Sequence, residues 1–199
     1  MITAAVEDIL SEAVLRRVIE QINKPYTIGL VLSGNGKGYL KTKASGFNSS
    51  AKGSPFLLLV DQDTKAECPP ALIASWLNKQ PCHHNLVFRV AVMEIEAWVM
   101  ADRAALSSYL GVTLNKVPAD VEAIADPKRF LVNLARSSRS RTVRDDLVPR
   151  EQSTARVGPN YNGSLIQFVQ AHWQLGEARR NAPSLEGMYR KLMDFKPEI

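Results

Sequence analysis

A chain of 199 residues with 45% hydrophobic side chains is large enough to fold around a buried core, which excludes a disordered tail. Its two cysteines, Cys68 and Cys82, are too few for a disulfide framework, and no apolar run in the sequence reaches the length of a membrane span. The net charge of +5 allows a nucleic-acid partner without requiring one. The sequence does not begin with the basic segment and apolar run of a signal peptide, so we expect a cytoplasmic protein with no membrane partner.

The N-terminal half alternates short apolar runs with helical patterns, which predicts an α/β fold with a mainly parallel sheet. Residues 2–6 are apolar and β-branched, and residues 8–23 carry apolar side chains at four-residue spacing, so a strand and a helix are expected. A second strand is predicted over 26–32, followed by a flexible, basic, glycine-rich turn over 33–38. The polar stretch at 39–52 favours neither a helix nor a strand.

Residues 56–60 give the clearest strand, because a continuous apolar run without alternation indicates burial on both faces of a parallel sheet. The patterns that follow predict a helix over 69–77, a strand over 86–93, and helices over 94–100 and 104–110, the last capped by Asp102. Trp76, Trp98 and Trp173 fall within apolar helical stretches and are expected in the core.

Beyond residue 110 the sequence becomes mainly helical. Asp126 and Pro127 are a typical helix start. The other expected elements are a loop over 137–163, which has few apolar residues, and helices near 164–175 and 184–194. The predicted organisation is an α/β core at 1–110 and a helical extension at 111–199 that packs on the same domain.

Acidic residues follow several of the predicted strands. Glu7 comes after the first strand, and Asp61 and Asp63 come after the most buried one. The carboxyl ends of parallel strands meet at one edge of the sheet, and side chains two apart on an extended chain point the same way, so these three are expected to converge. Converging carboxylates repel one another unless a cation intervenes, and oxygen ligands suit Mg²⁺. Glu94 and Glu96 follow a neighbouring strand and are candidates for a second metal.

The same acidic positions also allow a purely structural role. An aspartate at a strand end often caps a loop or the next helix, and acidic residues are favoured in the first turn of a helix. An Asp-x-Asp pair also occurs in unrelated folds, so the pattern alone leaves both interpretations open.

The order of these motifs resembles the TOPRIM signature. Residues 6–12 place a glutamate after strand one, and residues 59–63 place an Asp-x-Asp pair after a later strand, as in the TOPRIM domains of type IA topoisomerases, primases and OLD-type nucleases. Residues 90–102, 126–128 and 183–185 are similar to a bacterial TOPRIM-like family often encoded beside ATPase genes in defence islands. The resemblance spans most of the chain and implies a Rossmann-like TOPRIM core.

The resemblance also implies an activity. It is that of a Mg²⁺- or Mn²⁺-dependent nuclease, or a related phosphodiester-cleaving hydrolase, that serves phage defence together with an ATPase partner. Within that activity, Glu7 would be the general acid/base or a metal-proximal residue. Asp61 and Asp63 would be catalytic ligands of the metal, with Glu94 or Glu96 in support.

One residue departs from the family pattern. Asp8 stands where the family usually has a glycine, and its side chain and charge would crowd an approaching phosphate. The alternative is therefore a non-catalytic TOPRIM-like adaptor that binds an ATPase partner or nucleic acid. The helical extension offers a surface either for that ATPase or for a second copy of the chain in a homo-oligomer.

Basic residues that would contact DNA or RNA are concentrated late in the chain. Residues 128–156 carry eight cations against three carboxylates, which fits either a phosphate-contacting patch or a solvated surface. Lys37 lies in a segment that fails as a phosphate-binding loop, since Val31 and Gly38 stand where a glycine and a Ser/Thr are needed, and it is expected in a surface turn. The predicted nucleic-acid contacts are Lys37, Arg136, Arg139, Arg141 and Arg144, with the choice between DNA and RNA left open.

Overall fold

Four short apolar segments pair as parallel strands, because an intervening helix returns the chain to the same end of the sheet each time. In the computed structural model, which describes residues 1–198, the strands are β1 (Ile2–Val6), β2 (Ile28–Leu32), β3 (Phe56–Asp61) and β4 (Leu86–Ala91). They form one sheet in the order β2-β1-β3-β4. The parallel α/β sheet expected from the sequence is confirmed.

Helices flank this sheet and form most of the C-terminal half. They are α1 (Ile9–Gln21), α2 (Gly36–Ser50), α3 (Pro69–Trp76), α4 (Ile95–Ala101), α5 (Arg103–Leu110), α6 (Pro127–Arg136), α7 (Arg141–Leu147), α8 (Tyr161–Ala171), α9 (Leu175–Ala178) and α10 (Pro183–Asp194), with short 3-10 turns at Leu114–Lys116 and Val121–Ala123. The helices expected from apolar spacing are all present, within a few residues at each end. Among residues 1–198, no helix combines the length and the apolar character needed to cross a membrane.

Besides the four-residue α9, two further helices lie where the sequence did not predict one. α2 buries Leu40, Ala44 and Phe47 at helical spacing, but lysines and glycines between them dilute the pattern. α7 lies inside the segment 137–163, so the expectation of a loop there is wrong for this part. It buries only Leu147, which is too weak an apolar stripe to reveal a helix.

The continuous apolar run of β3 is explained by helices on both faces of the sheet. Leu57 and Leu59 point to the face covered by α1 and the C-terminal helices, whereas Leu58 and Val60 point to the face covered by α2 and α3. On the first face α8 packs on α1 and α10 packs on β4, so the C-terminal helices share one hydrophobic cluster with the sheet. Trp76, Trp98 and Trp173 are buried, as expected.

Aspartates hold the starts of two helices that the sequence predicts. Asp102 Oδ1 accepts a hydrogen bond from the backbone N–H of Ala105 at 3.2 Å, at the start of α5. Asp126 Oδ1 accepts one from the backbone N–H of Arg129 at 2.8 Å, at the start of α6. The capping role expected for Asp102 is confirmed.

The register of the sheet brings the ends of its central strands together. Val6 pairs with Leu59, so the residue that follows β1 lies beside the end of β3. The start of α2 reaches the same place, since the backbone N–H of Gly36 donates to the Glu7 carbonyl oxygen at 3.3 Å. The acidic residues that follow the strands therefore meet at the carboxyl edge of the sheet, where open α/β folds bind ligands.

Candidate functional site

Glu7 bridges the two central strands at this edge. It follows β1, and its Oε1 accepts a hydrogen bond from the backbone N–H of Asp61, the last residue of β3, at 2.8 Å. Burial raises the pKa of Glu7 to about 7, with the hydrogen bond from Asp61 and the positive charge of Lys37 acting in the opposite direction. Glu7 is thus oriented by the strand beside it and exchanges a proton near neutral pH.

Asp61 lies close enough to the other acidic residues of the site to feel their negative charges. Its side chain is buried, with 8% of the residue exposed, and among residues 1–198 its carboxylate oxygens have no hydrogen-bond partner. Burial raises the pKa of Asp61 well above its usual range, and the negative charges of Glu7 and Glu96 raise it further. We use the name carboxylate cluster for four residues at this edge: Glu7, Asp61, Asp63 and Glu96.

Asp63 does not point alongside Asp61 as expected. The extended chain ends at Asp61, and Asp63 has a φ of +62°, in the left-handed region. The cause is that the chain turns toward the loop after β4, where the backbone N–H of Asp63 donates to the Met93 carbonyl oxygen at 2.7 Å. The side chain of Asp63 is half exposed and pairs with Lys37.

Lys37 is a component of the site that the sequence placed wrongly in a surface turn. It lies in the first turn of α2, and its side chain is only 30% exposed. Its Nζ donates to the carbonyl oxygens of Asp61 (2.7 Å) and Gln62 (3.1 Å) and to Asp63 Oδ2 (2.5 Å). The ammonium group therefore holds the loop after β3 and supplies one positive charge to the carboxylate cluster.

Asp8 has a structural role that explains its departure from the family pattern. It is the N-cap of α1, where its Oδ1 accepts a hydrogen bond from the backbone N–H of Ser11 at 2.8 Å. Its φ of −148° is ordinary extended backbone, so no glycine is required at this position. Its charge adds to the negative field at Glu7, Asp61 and Glu96.

Glu94 and Glu96 differ in how far their oxygens are engaged. Glu94 Oε2 accepts a hydrogen bond from the backbone N–H of Lys128 at 2.8 Å, at the start of α6. Glu96 is 1% exposed, and its Oε1 accepts from the Tyr161 hydroxyl at 3.1 Å and lies 3.3 Å from Lys128 Nζ. Its Oε2 is buried without a partner among residues 1–198, and burial raises the pKa of Glu96 to about 7.

Lys128 and Tyr161 are site residues to which the sequence gave no role. Burial by itself would lower the pKa of Lys128, but the charges of Glu96 and Glu94 raise it above its usual value. Burial, followed by the charge of Glu96, raises the pKa of Tyr161, so its hydroxyl stays protonated and donates. Lys128 lies in residues 126–128, where the sequence resembles a TOPRIM-like family, whereas Tyr161 lies in a stretch without apolar periodicity, so no local signal marked it.

The five predicted nucleic-acid contacts lie in different surroundings. Lys37 is occupied within the carboxylate cluster. Arg141 pairs with Asp145 at 3.5 Å on α7, and Arg144 donates to the Ser138 carbonyl oxygen at 3.3 Å. Arg139 and Arg136 are exposed, and only Arg136 lines the pocket between α6 and the loop after α7 that also contains Glu94 and Lys128.

The donor atoms of the site fit a hard divalent cation. In residues 1–198 the carboxylate oxygens of Asp61 and Glu7 Oε2 have no hydrogen-bond partner, and Glu96 Oε2 is buried without one. Carboxylate oxygens of this kind are ligands that Mg²⁺ takes. In the part of the chain that the structure describes, no three acidic, imidazole or thiol groups are arranged to enclose an ion as they stand. Ligation by Asp63 requires its carboxylate to leave Lys37.

No family model matches the chain, and no curated protein or solved structure shows significant similarity to it. Fold and site geometry are therefore the basis for any functional inference, together with the motifs in the sequence.

Proposed function

We propose that this chain is a TOPRIM-like, Mg²⁺- or Mn²⁺-dependent enzyme that cleaves phosphodiester bonds in nucleic acid. The observation that carries the proposal is the convergence of Asp61, at the carboxyl end of a central strand, with other carboxylates: burial, and then the charges of Glu7 and Glu96, raise the pKa of Asp61 well above its usual range. Carboxylates that converge in this way disfavour one another's charged form, so a cluster of this kind is expected where a cation binds.

Asp61 would hold the metal, with Glu7 close to it, and Glu96 Oε2 would reach the same ion only after a shift, since no three such groups in residues 1–198 enclose an ion as they stand. A bound Mg²⁺ supplies a Lewis acid for a phosphoryl oxygen and lowers the pKa of a coordinated water. The positions of Glu7 after β1 and of Asp61 and Asp63 at the end of β3 support the TOPRIM resemblance, because both motifs lie at one edge of the sheet.

The remaining residues of the site have roles that follow from their contacts. Burial raises the pKa of Glu7 to about 7 in the chain without metal, which would suit Glu7, standing beside the metal without binding it, to take a proton from the attacking water or to return one to the leaving oxygen. Tyr161 and Lys128 hold Glu96 in place through its Oε1. Lys37 fixes the backbone that presents Asp61 and carries a positive charge toward the place where a phosphate would lie.

The biological setting of the proposal comes from the sequence resemblance alone. Phage defence, and an ATPase partner that controls the nuclease, are properties implied by the family motifs at residues 90–102, 126–128 and 183–185.

A second candidate function, the non-catalytic adaptor, is favoured by one specific observation. The Lys37 ammonium pairs with Asp63, and its positive charge partly offsets the rise in the pKa of Glu7. The chain therefore carries a cation of its own at the edge of the sheet. In this alternative Lys37 replaces the metal, and the surface serves to bind an ATPase partner or nucleic acid without cleaving it.

One experiment separates the two functions. Thermal melting in a Mg²⁺ and Mn²⁺ titration is combined with cleavage assays on single-stranded DNA, double-stranded DNA and tRNA, for wild type, Glu7→Gln and Asp61→Asn. Asp145→Asn is the matched control, because this carboxylate is exposed on α7 and pairs with Arg141 outside the cluster.

The nuclease predicts metal-dependent stabilisation and cleavage that both cluster variants lose and the control keeps. A melting temperature independent of both metals, together with intact substrates in every assay including those with an ATPase encoded beside the gene, would establish the adaptor instead.

A further inference from the structure

A pocket of about 640 Å³ lies between α6 and the loop after α7, next to the carboxylate cluster. Five cations line it: Lys128, Arg129, Arg136, Arg150 and Arg156. The carboxylates along its walls are those of Glu94, Asp126 and Glu151. The pocket therefore has an excess of positive charge.

Four of the five cations of this pocket have no ionic partner in residues 1–198, whereas two of its carboxylates accept hydrogen bonds. Among residues 1–198, four of its cations form neither a side-chain hydrogen bond nor a salt bridge: Arg129, Arg136, Arg150 and Arg156. By contrast, Glu94 and Asp126 each accept a backbone N–H at the start of α6, at 2.8 Å in both cases. Elsewhere on the surface the exposed arginines Arg141 and Arg190 pair with carboxylates on their own helices.

Local structure explains how these arginines come to face one space. Arg129 and Arg136 are seven residues apart on α6 and so lie on one face of that helix. The opposite wall is a tight turn in which the backbone N–H of Ser153 donates to the Arg150 carbonyl oxygen at 3.0 Å and Gln152 adopts a φ of +65°. The turn folds residues 150–156 back toward α6.

The pocket adjoins the proposed active site at Lys128. This residue lines the pocket, and its Nζ lies 3.3 Å from Glu96 Oε1 within the carboxylate cluster. Glu94 also lines the pocket. A ligand held by the arginines would therefore lie beside the pair formed by Lys128 and Glu96.

The side chains of the pocket identify the chemistry of its ligand. Guanidinium groups bind phosphate oxygens in a bidentate manner, and four unpaired ones in one space suit two or more adjacent phosphates. The residues that line the pocket include no aromatic side chain on which a base would stack. A volume of about 640 Å³ is in the range of small-ligand pockets, which suits a strand of nucleic acid or a free polyphosphate better than the broad surface of a duplex.

We propose that this pocket, which we call the arginine pocket, binds adjacent phosphate groups and positions the backbone of a single nucleic-acid strand beside the carboxylate cluster. The part of the proposal that concerns positioning rests on the nuclease function proposed above; phosphate binding by the arginine pocket does not.

The test is phosphate binding without metal. Binding of a short, labelled single-stranded oligonucleotide is measured by fluorescence anisotropy in EDTA over a range of KCl concentrations, with DNA and RNA forms and with tripolyphosphate and ATP as competitors. Two double variants probe the pocket, Arg129→Gln with Arg136→Gln and Arg150→Gln with Arg156→Gln. The control, Arg180→Gln with Arg190→Gln, removes the same charge from exposed arginines elsewhere.

We expect each pocket variant to bind the oligonucleotide about tenfold more weakly and to reduce the salt-dependence slope by about two, as for the loss of two phosphate contacts. The control should bind as wild type does. Tripolyphosphate or ATP that competes in wild type but not in the pocket variants supports the same site and identifies free polyphosphate as a second source of the ligand. Equal weakening in the control, or no binding of either ligand by wild type, would overturn the proposal.

The outcome is separable from the fate of the nuclease. Pocket variants that bind normally while wild type cleaves with metal would refute the arginine pocket and leave the enzyme intact. Loss of binding in the pocket variants, with no cleavage by wild type under any condition, would support the arginine pocket and refute the enzyme.

Discussion

Two buried polar groups on opposite sides of α4 differ in how completely they are hydrogen-bonded. In the first, which we call the Ser184 network (Trp98, Glu122 and Ser184), the Ser184 hydroxyl donates to Glu122 Oε1 at 2.5 Å and accepts from Trp98 Nε1 at 2.7 Å. The Ser184 backbone N–H donates to the same Glu122 oxygen at 2.9 Å. In the second, the carboxylate cluster, Asp61 and Glu96 keep oxygens that have no partner in residues 1–198.

The difference teaches which polar groups serve the fold. A buried network whose donors and acceptors are matched stabilises a unique packing, as the Ser184 network does for α4 and α10. Unmatched buried carboxylates of like charge do the opposite, and their natural compensation is a bound cation. A carboxylate of the cluster and a buried carboxylate whose oxygens are matched by donors should therefore respond in opposite directions when they are neutralised.

The largest expected effect is on catalysis. Asp61→Asn should lower metal-dependent cleavage by at least about 1,000-fold, because it removes a charge from the proposed ligand set. In EDTA, at a pH where Asp61 is ionised, the same variant should melt at a higher temperature than wild type, since burial and the neighbouring carboxylates disfavour that charge. Cleavage rates and calorimetric melting measure the two effects.

Asp102→Asn provides the opposite comparison. Asp102 is equally buried, but its oxygens accept hydrogen bonds from the backbone N–H groups of Ala105 and Gln174. Its neutralisation should lower the melting temperature. A lower melting temperature for both variants in EDTA would contradict the distinction between buried carboxylates with and without hydrogen-bond donors.

The next largest effect concerns the Ser184 network. Ser184→Ala should lower the free energy of unfolding by about 3 kcal/mol, because it leaves the buried indole N–H of Trp98 and the backbone N–H of Val92 without their acceptor. The Mg²⁺-induced rise in melting temperature should stay as in wild type. Urea unfolding measures the change, and Ser49→Ala, which removes an exposed hydroxyl on α2, should change it by less than about 0.5 kcal/mol.

A smaller effect is expected from pH. Glu7 and Glu96 have a pKa of about 7 in the folded chain against an ordinary value of 4.5, so between these values the folded state binds more protons than the unfolded state. Without metal, the free energy of unfolding should therefore fall as pH rises from about 4.5 to about 7, and the raised pKa of Asp61 acts in the same direction.

Glu96→Gln tests the origin of this slope. The glutamine keeps an oxygen that accepts the hydrogen bond from the Tyr161 hydroxyl, and it removes one titrating group. The fall in the free energy of unfolding between pH 4.5 and 7 should therefore be smaller than in wild type by about 1–2 kcal/mol. Denaturant unfolding at several pH values in EDTA measures it. An unchanged slope would show that Glu96 does not titrate in this range.

The smallest effect is expected at Lys37. Lys37→Met should strengthen Mg²⁺ binding by about 1 kcal/mol or less, because the ammonium competes with the metal for Asp63 and the pair is partly exposed. The metal-induced shift in melting temperature measures the change, and Lys41→Met, an exposed lysine on the same helix, is the control. Weaker metal binding in Lys37→Met would show that Lys37 supports the metal site instead of competing with it.

Local patterns were sufficient for most of the fold and for the first part of the site. The uninterrupted apolar run at 56–60 indicates a strand covered on both faces, and Asp102 marks a helix start, because both signals lie within a few neighbouring residues. The same patterns anticipate that Glu7 and Asp61 meet, since parallel strands present their carboxyl ends at one edge.

Contacts between distant segments were decided only by the tertiary structure. Glu96 and Tyr161 are 65 residues apart, and they meet because α8 packs against the same core as α4. Asp63 turns away from Asp61 because a hydrogen bond to the loop after β4 bends the chain. Lys37 lies in the site because α2 already begins at Gly36, within the segment where the sequence predicts a turn. The sequence by itself therefore determined the sheet, its edge and the acidic residues there, since these follow from local periodicity. The packing of the helices decided which of those carboxylates have hydrogen-bond or ionic partners and which have none in residues 1–198. These partners come from separate parts of the chain, so local sequence patterns do not reveal them.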